Sequence, residues 1–113
     1  MNDKGYIDRM IRYCEKISRY MSETETFNDF ELNEEKIDAV ILNLEQIGET
    51  AKKLSVETKS KHSDINWPSI IGLRNMISHE YEGIKLNIVY EIATKHIPDL
   101  ADALSTMKKV TEK

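Results

Sequence analysis

The stretch Arg74-Asn75-Met76-Ile77-Ser78-His79-Glu80-Tyr81 holds the side chains of this sequence best suited to chemistry. Arginine is permanently charged and presents a planar fork of N–H donors that matches phosphate oxygens. Histidine titrates near neutrality and can take or give a proton at a reacting oxygen. Together they suit cleavage of RNA without a metal. The ribose 2′-hydroxyl supplies the nucleophile, so the protein has only to accept its proton and stabilise the charge growing on the phosphate. One histidine does not easily serve both the attacking and the leaving oxygen. Two copies of His79 across a two-fold axis could, and this stoichiometry favours a dimeric site.

The spacing constrains how such a site is built. Arg74 and His79 are five residues apart, which on an ideal helix turns the two side chains about 140° from one another. Either the helix unwinds before His79, or the pair flanks a groove from its two sides. His79 and Tyr81 are two apart and are not neighbours on a helix face. The motif therefore makes most sense wrapped around a helix end and lining a shared cleft. A plainer account stays open: a surface arginine in an ion pair, and a histidine near a helix C-terminus where positive charge is favoured. Tyr81 likewise can be read as an amphipathic residue at the edge of a bundle.

Other chemistry-bearing residues point nowhere so specific. His62 lies in a polar stretch and is expected to face solvent, and His96 is expected at a helix end. The three histidines lack metal-ligand spacing, and the single Cys14 cannot anchor zinc. No metal and no other cofactor is expected. Lys52, Lys53, Lys59 and Lys61 read as a solvated face, and the methionines as core filler.

The elements that must position the motif are helices. Ile7, Met10, Ile11, Cys14, Ile17 and Met21 recur at spacings of three and four and paint one stripe on a first helix. Ser22 to Asn33 is a polar connection with a short helical turn, pinned by Phe27, Phe30 and Leu32. Asn33 then caps a long second helix whose apolar positions run Ile37, Val40, Ile41, Leu44, Ile47, Ala51 and Leu54. Gly48 inside it costs about 1 kcal/mol relative to alanine and marks a close crossing. Ser55 to Asn66 reads as a loop. Asn66-Trp67-Pro68 starts a third helix running to about Glu80, with Ile70, Ile71, Leu73 and Ile77 inward and Gly83 ending the element. A fourth helix from Leu86 carries Ile88, Val89, Ile92 and Ala93. Pro98 should break or kink it before a last segment with Leu100, Ala103, Leu104, Met107 and Val110. The fold class is all-α, an antiparallel four-helix-type bundle with a kinked C-terminal helix, formed as a single domain over residues 1–113.

Composition narrows the setting. A chain of 113 residues supports one core and little room for a deep internal cavity, which again favours a cleft between copies. The net charge of −4 argues against a non-specific nucleic-acid coat, while a locally positive cleft remains compatible with it. A lone cysteine fits a reducing cytoplasm. No apolar run approaches the roughly 20 residues of a membrane span, and the first residues do not resemble a signal peptide. The expectation is a cytoplasmic protein with no membrane partner.

Arg-x4-His-x-Tyr, with polar Asn75 directly after the arginine, resembles the signature of HEPN-domain proteins. Ile47-Gly48-Glu49, Trp67-Pro68 and Ile97-Pro98 resemble its HepT-like branch, the ribonuclease toxins paired with nucleotidyltransferase antitoxins. The likeness spans roughly residues 37–104, and Thr50 departs from the alanine more usual after the glutamate. The resemblance implies a HEPN-like, dimeric helical-bundle endoribonuclease acting on RNA, with Arg74 and His79 catalytic and Asn75 supporting them. It also implies a nucleotidyltransferase partner, in a homodimer or a larger hetero-complex, which attaches AMP to Tyr81. Glu49 is read as a supporting residue that orients Arg74 or is simply solvated. Two alternatives stand beside this: a non-catalytic module that docks a nucleotidyltransferase, and a helical dimer whose motif is structural.

Overall fold

Asn2 starts the first helix by accepting the Gly5 N–H at 3.0 Å through its side chain. The computed structural model describes residues 2–80 and 85–111, without the side chains of residues 74–80 and 111. Helix α1 (Asp3–Ser22) buries Ile7, Met10, Cys14, Ile17 and Met21 along one side, as its spacing predicts. The short α2 (Phe27–Glu31) follows, capped by Thr26, and α3 (Glu34–Lys52) is capped by Asn33, whose side chain accepts the Lys36 N–H at 3.0 Å. Next come α4 (Val56–Lys61), α5 (Trp67–Glu80) and α6 (Leu86–Glu91), then a π-helical turn (Ile92–His96) leading into α7 (Ile97–Thr111). Among the described residues there is no strand, in keeping with the expected all-α class.

Hydrogen bonds and ion pairs fix the topology. Asp3 at the start of α1 accepts the Ser55 N–H at 3.1 Å and the hydroxyls of Ser55 and Thr58, tying that end to the α3–α4 junction. At the other end of α1, Lys36 on the first turn of α3 donates to the Thr24 hydroxyl at 2.8 Å. Helices α1 and α3 are therefore antiparallel. Lys108 late in α7 reaches Asp8 early in α1 at 3.0 Å, so α7 is antiparallel to α1 as well. The rings of Phe27 and Phe30 meet Tyr90 at 5.5 and 5.6 Å, which sets α6 beside α2 at the far end. Helix α5 packs on α3, and the bundle order is α5–α3–α1–α7.

Several expectations need correction. Ser55 to Asn66 is not all loop, because Ser55 caps α4 by accepting the Thr58 N–H. The disturbance expected at Pro98 takes the form of the π turn just before it. Proline lacks an N–H and crowds the carbonyl four residues back. Widening the turn relieves this, and the Ile97 N–H bonds the Ile92 carbonyl five residues earlier. Leu32, Ile88 and Val110 were expected to anchor their segments, yet they are exposed, because Phe30, Val89 and Met107 fill the inward positions. Gly83 lies outside the described residues. Thr50, the departure noted above, is buried and satisfied: its hydroxyl donates to the Gln46 carbonyl at 2.7 Å. Burial pushes the Cys14 thiol up to about 12, with Glu15 adding to the shift, so this cysteine is a small apolar core residue and not a nucleophile.

The Asp3 junction gives a testable consequence. Partial burial raises the Asp3 carboxyl, but the hydrogen bonds from Ser55 and Thr58 and the nearby Lys59 outweigh it and hold the group below the ordinary carboxylate value. A depressed value in the fold means stability that is present above the unfolded value, about 3.9, and lost as pH falls through the folded one. Asp3→Ala is expected to lower stability by about 1 kcal/mol at neutral pH. The gap from the parent protein should close in strongly acidic buffer. Urea melts at the two pH values check it, and a gap that persists in acid would contradict the assignment.

Candidate functional site

The motif rides on α5, so the forces that start and hold α5 are what position it. Asn66 caps this helix, its side chain accepting the Ser69 N–H and its carbonyl the Ile70 N–H, both at 3.2 Å. Trp67 and Pro68 occupy the first turn, where proline's missing N–H removes no helical bond. Trp67 is 5% exposed, and its ring N–H donates to the carbonyls of Lys59 at 3.2 Å and His62 at 3.1 Å. The Lys59 carbonyl lies in the last turn of α4, where carbonyls run short of helical donors, and the His62 carbonyl accepts the Ile65 N–H as well, at 3.1 Å. One side chain thus fastens the start of α5 to α4, and through Ser55 and Thr58 to the start of α1.

From this anchor α5 runs as a continuous helix to Glu80. Of the two ways to accommodate the Arg74–His79 spacing, the helix does not take the one that unwinds before His79. The side chains of Arg74, Asn75 and His79 lie outside the described residues, as does Tyr81. The antiparallel run of α3 and α5 sets Glu49, one turn from the end of α3, toward the end of α5 that carries Pro68. It is half-buried, and by helix level it lies nearer Arg74 than His79. His62, expected in solvent, is half-buried at the end of α4. His96 is exposed and sits on the π turn of a continuing helix, not at a helix end.

A feature that the spacing of the motif did not announce is a groove of about 790 Å³ between α5 and α7. Ile65, Ile70, Leu73, Ile92, Leu100 and Ala103 make its walls largely apolar, and Asp64, Asn66, Ser69, His96 and Asp99 supply polar groups. Among the described residues its wall on α5 reaches Leu73, the residue before Arg74. The sequence does carry a signal for it. Trp67, Ile70, Ile71, Leu73, Met76 and Ile77 spread over more than half of the circumference of α5 at about 100° per residue, a stripe wider than one neighbouring helix covers. Yet Ile70, Ile71 and Leu73 are only half-buried. Among the described residues no three His, Cys, Asp or Glu side chains are gathered to hold a metal, and no helix is long and apolar enough to cross a membrane.

Comparison with known proteins finds the family model described as ribonuclease HepT-like matching residues 10–107. A protein of Caldanaerobacter subterraneus subsp. tengcongensis, provisionally named an RNase, is 34% identical over 97 residues, covering 86% of each chain. The probable ribonuclease HepT of Thermococcus cleftensis is 27% identical over 106 residues, 94% of this chain and 96% of that one. No solved structure matches.

The indole anchor can be tested without touching the motif. Trp67→Phe keeps most of the buried ring but leaves the Lys59 and His62 carbonyls without this donor. A loss of about 1–3 kcal/mol in unfolding free energy is expected. Amide exchange in α4 and the first turn of α5 should rise more than in α1. An unchanged exchange pattern in α4 would show that the indole bonds do not hold this corner.

Proposed function

Because the chain belongs to the HepT-like ribonuclease family, we propose that it is a metal-independent endoribonuclease acting through Arg74 and His79. The observation that carries this reading is the family match over residues 10–107, which contains the complete Arg74-x4-His79-x-Tyr81 motif. In the proposed reaction the 2′-oxygen attacks the adjacent phosphorus and the bond to the 5′-oxygen breaks. The products are a 2′,3′-cyclic phosphate and a free 5′-hydroxyl. One His79 accepts the 2′-hydroxyl proton, and the second copy's His79 gives a proton to the leaving oxygen. Arg74 stabilises the charge on the phosphate oxygens in the transition state. Asn75 and Glu49 support this pair. The two-histidine requirement makes the working unit a homodimer in the cytoplasm.

Catalysis of this kind sets expected magnitudes. His79→Ala should reduce cleavage by about 10²–10⁴-fold, and Arg74→Ala by about 10²–10³-fold. Both variants should remain folded by circular dichroism, and a chelator should leave the parent activity intact. Cleavage unchanged in both variants would defeat the site. A parent protein that binds a nucleotidyltransferase but cuts no RNA would favour the docking-module alternative.

A ribonuclease in its own cytoplasm needs restraint, and the same reading makes the chain the toxin of a pair whose antitoxin is a nucleotidyltransferase. AMP on the Tyr81 hydroxyl would place a phosphodiester charge and a base beside the motif, opposing the RNA backbone by repulsion and by bulk. Co-expression with the partner is expected to add one AMP per chain at Tyr81, by intact mass and peptide mapping. Tyr81→Phe should escape silencing. Silencing with Tyr81 unmodified would point instead to steric blockade by the bound partner.

A further inference from the structure

The outer face of α1 carries charge of one sign. Arg9, Arg12, Lys16 and Arg19 follow one another at spacings of three, four and three. At about 100° per residue the four fall within an arc of about 80°, and Gly5 is the only other residue of α1 inside it. Arg12, Lys16 and Arg19 are exposed, and Arg9 is half-buried. Among the described residues no ion pair holds any of the four. Asp8 and Glu15 lie just beyond one edge of the arc, and Asp8 is already bound to Lys108 at 3.0 Å. Like charges at these spacings weaken a helix, and a face kept only for solubility mixes its signs. In a chain of net charge −4, an unbalanced row of cations is a local site for an anion.

The other edge of the arc, toward α3, is aromatic. Tyr6, Tyr13 and Tyr20 recur every seven residues along it, each half-buried. The Arg19 guanidinium lies over the Tyr20 ring at 5.4 Å, and Lys53 of α3 lies over the Tyr6 ring at 6.0 Å. We propose that this face of α1 is an accessory track that grips the phosphates of single-stranded RNA. That the polyanion is RNA rests on the ribonuclease reading; that the face binds a polyanion does not. The row is linear and about 15 Å long, which matches a backbone of repeating charges. Three of its four members are arginines, whose planar forks suit phosphate oxygens. Rings at the edge of a cationic row accept stacked bases, a use that an acidic peptide does not make of them. The track is separate from the motif, because α3 stands between α1 and α5. Both α1 and α5 run antiparallel to α3, so the Arg19 end of the row and the motif end of α5 share one end of the bundle. A strand lying along α1 passes to the motif around that end.

The test combines Arg12→Gln with Lys16→Gln, at exposed positions where glutamine forms helix about as well as the residue replaced. Relief of like-charge repulsion should leave the melting temperature unchanged or raise it. Lys61→Gln with Lys109→Gln removes the same charge from exposed positions on α4 and α7, and serves as the control. The probe is a fluorescein-labelled single-stranded RNA of about 20 nucleotides, long enough to cover such a track. Its 2′-O-methyl groups let it bind without being cut. Two lost phosphate contacts should flatten the plot of log affinity against log salt by about 1.4. Affinity should then fall about 25-fold at about 0.1 M salt, a gap that closes toward about 1 M. The control pair should follow the parent. On unmodified RNA of the same length, KM should rise in the α1 variant while kcat stays. A dinucleotide, too short to span both places, should be cut equally by both. A parent that does not bind the probe would overturn the track. So would a slope or KM unchanged in the α1 variant, or an equal loss in the control pair. Polyglutamate displacing the probe as well as RNA does, charge for charge, would assign the face to an acidic protein and overturn the RNA track. A slope that flattens as expected, in a parent that binds RNA but cuts none, would uphold the track and defeat the ribonuclease reading.

Discussion

The stripe of Ile7, Met10, Cys14, Ile17 and Met21 on α1 is what the other helices are built upon. It faces α3 on one side and α7 on the other. Leu44, Ile47, Leu104 and Met107 complete the packing it begins. Each fully buried side chain of this size contributes roughly 1.5–3 kcal/mol, so the stripe outweighs any single polar contact in the molecule. The polar contacts act differently. Asp3 with Ser55, Lys36 with Thr24 and Lys108 with Asp8 sit at the ends of the stripe and select the antiparallel register over alternatives with equal apolar burial.

Helix α5 stands apart from this scheme. Among the described residues its principal neighbour is α3 and not α1, and its half-buried Ile70, Ile71 and Leu73 set it off from the closely packed α1 and α3. Its position comes from one end, through the Asn66 cap and the Trp67 indole, and from one side, through α3. A segment held this way differs from one embedded in a core. The core supplies its direction and level.

How much of this was legible beforehand follows from which forces are local. The α1 stripe, the Asn33 and Asn66 caps and the bounds of α5 are written in short-range spacing, and the structure reproduces them. Helix α4 was missed because it is six residues long, has no buried residue of its own and depends on the Ser55 cap and the indole of Trp67. The exposure of Leu32 and Ile88 was missed because side chains compete for inward positions, and a one-dimensional pattern does not rank Phe30 above Leu32 or Val89 above Ile88. The π turn illustrates a third kind of miss: Pro98 announces trouble, but whether the chain breaks or widens depends on the packing on both sides. For the site, the motif and its family were readable from residue types and spacing, whereas the groove arises from two helices that are not neighbours in sequence, with α6 between them.

The corner formed by α4 and α5 carries one more consequence. Trp67 is the only tryptophan in the chain, and it lies buried with its ring nitrogen bonded where the motif helix begins. Its emission is therefore a native optical reporter on that corner. The colour of the light follows the wetness of the indole, while the tyrosines among the described residues lie on α1 and α6. Excitation at the red edge of the absorption band isolates the start of the motif helix from the rest of the molecule, and no label has to be attached for its opening to be timed.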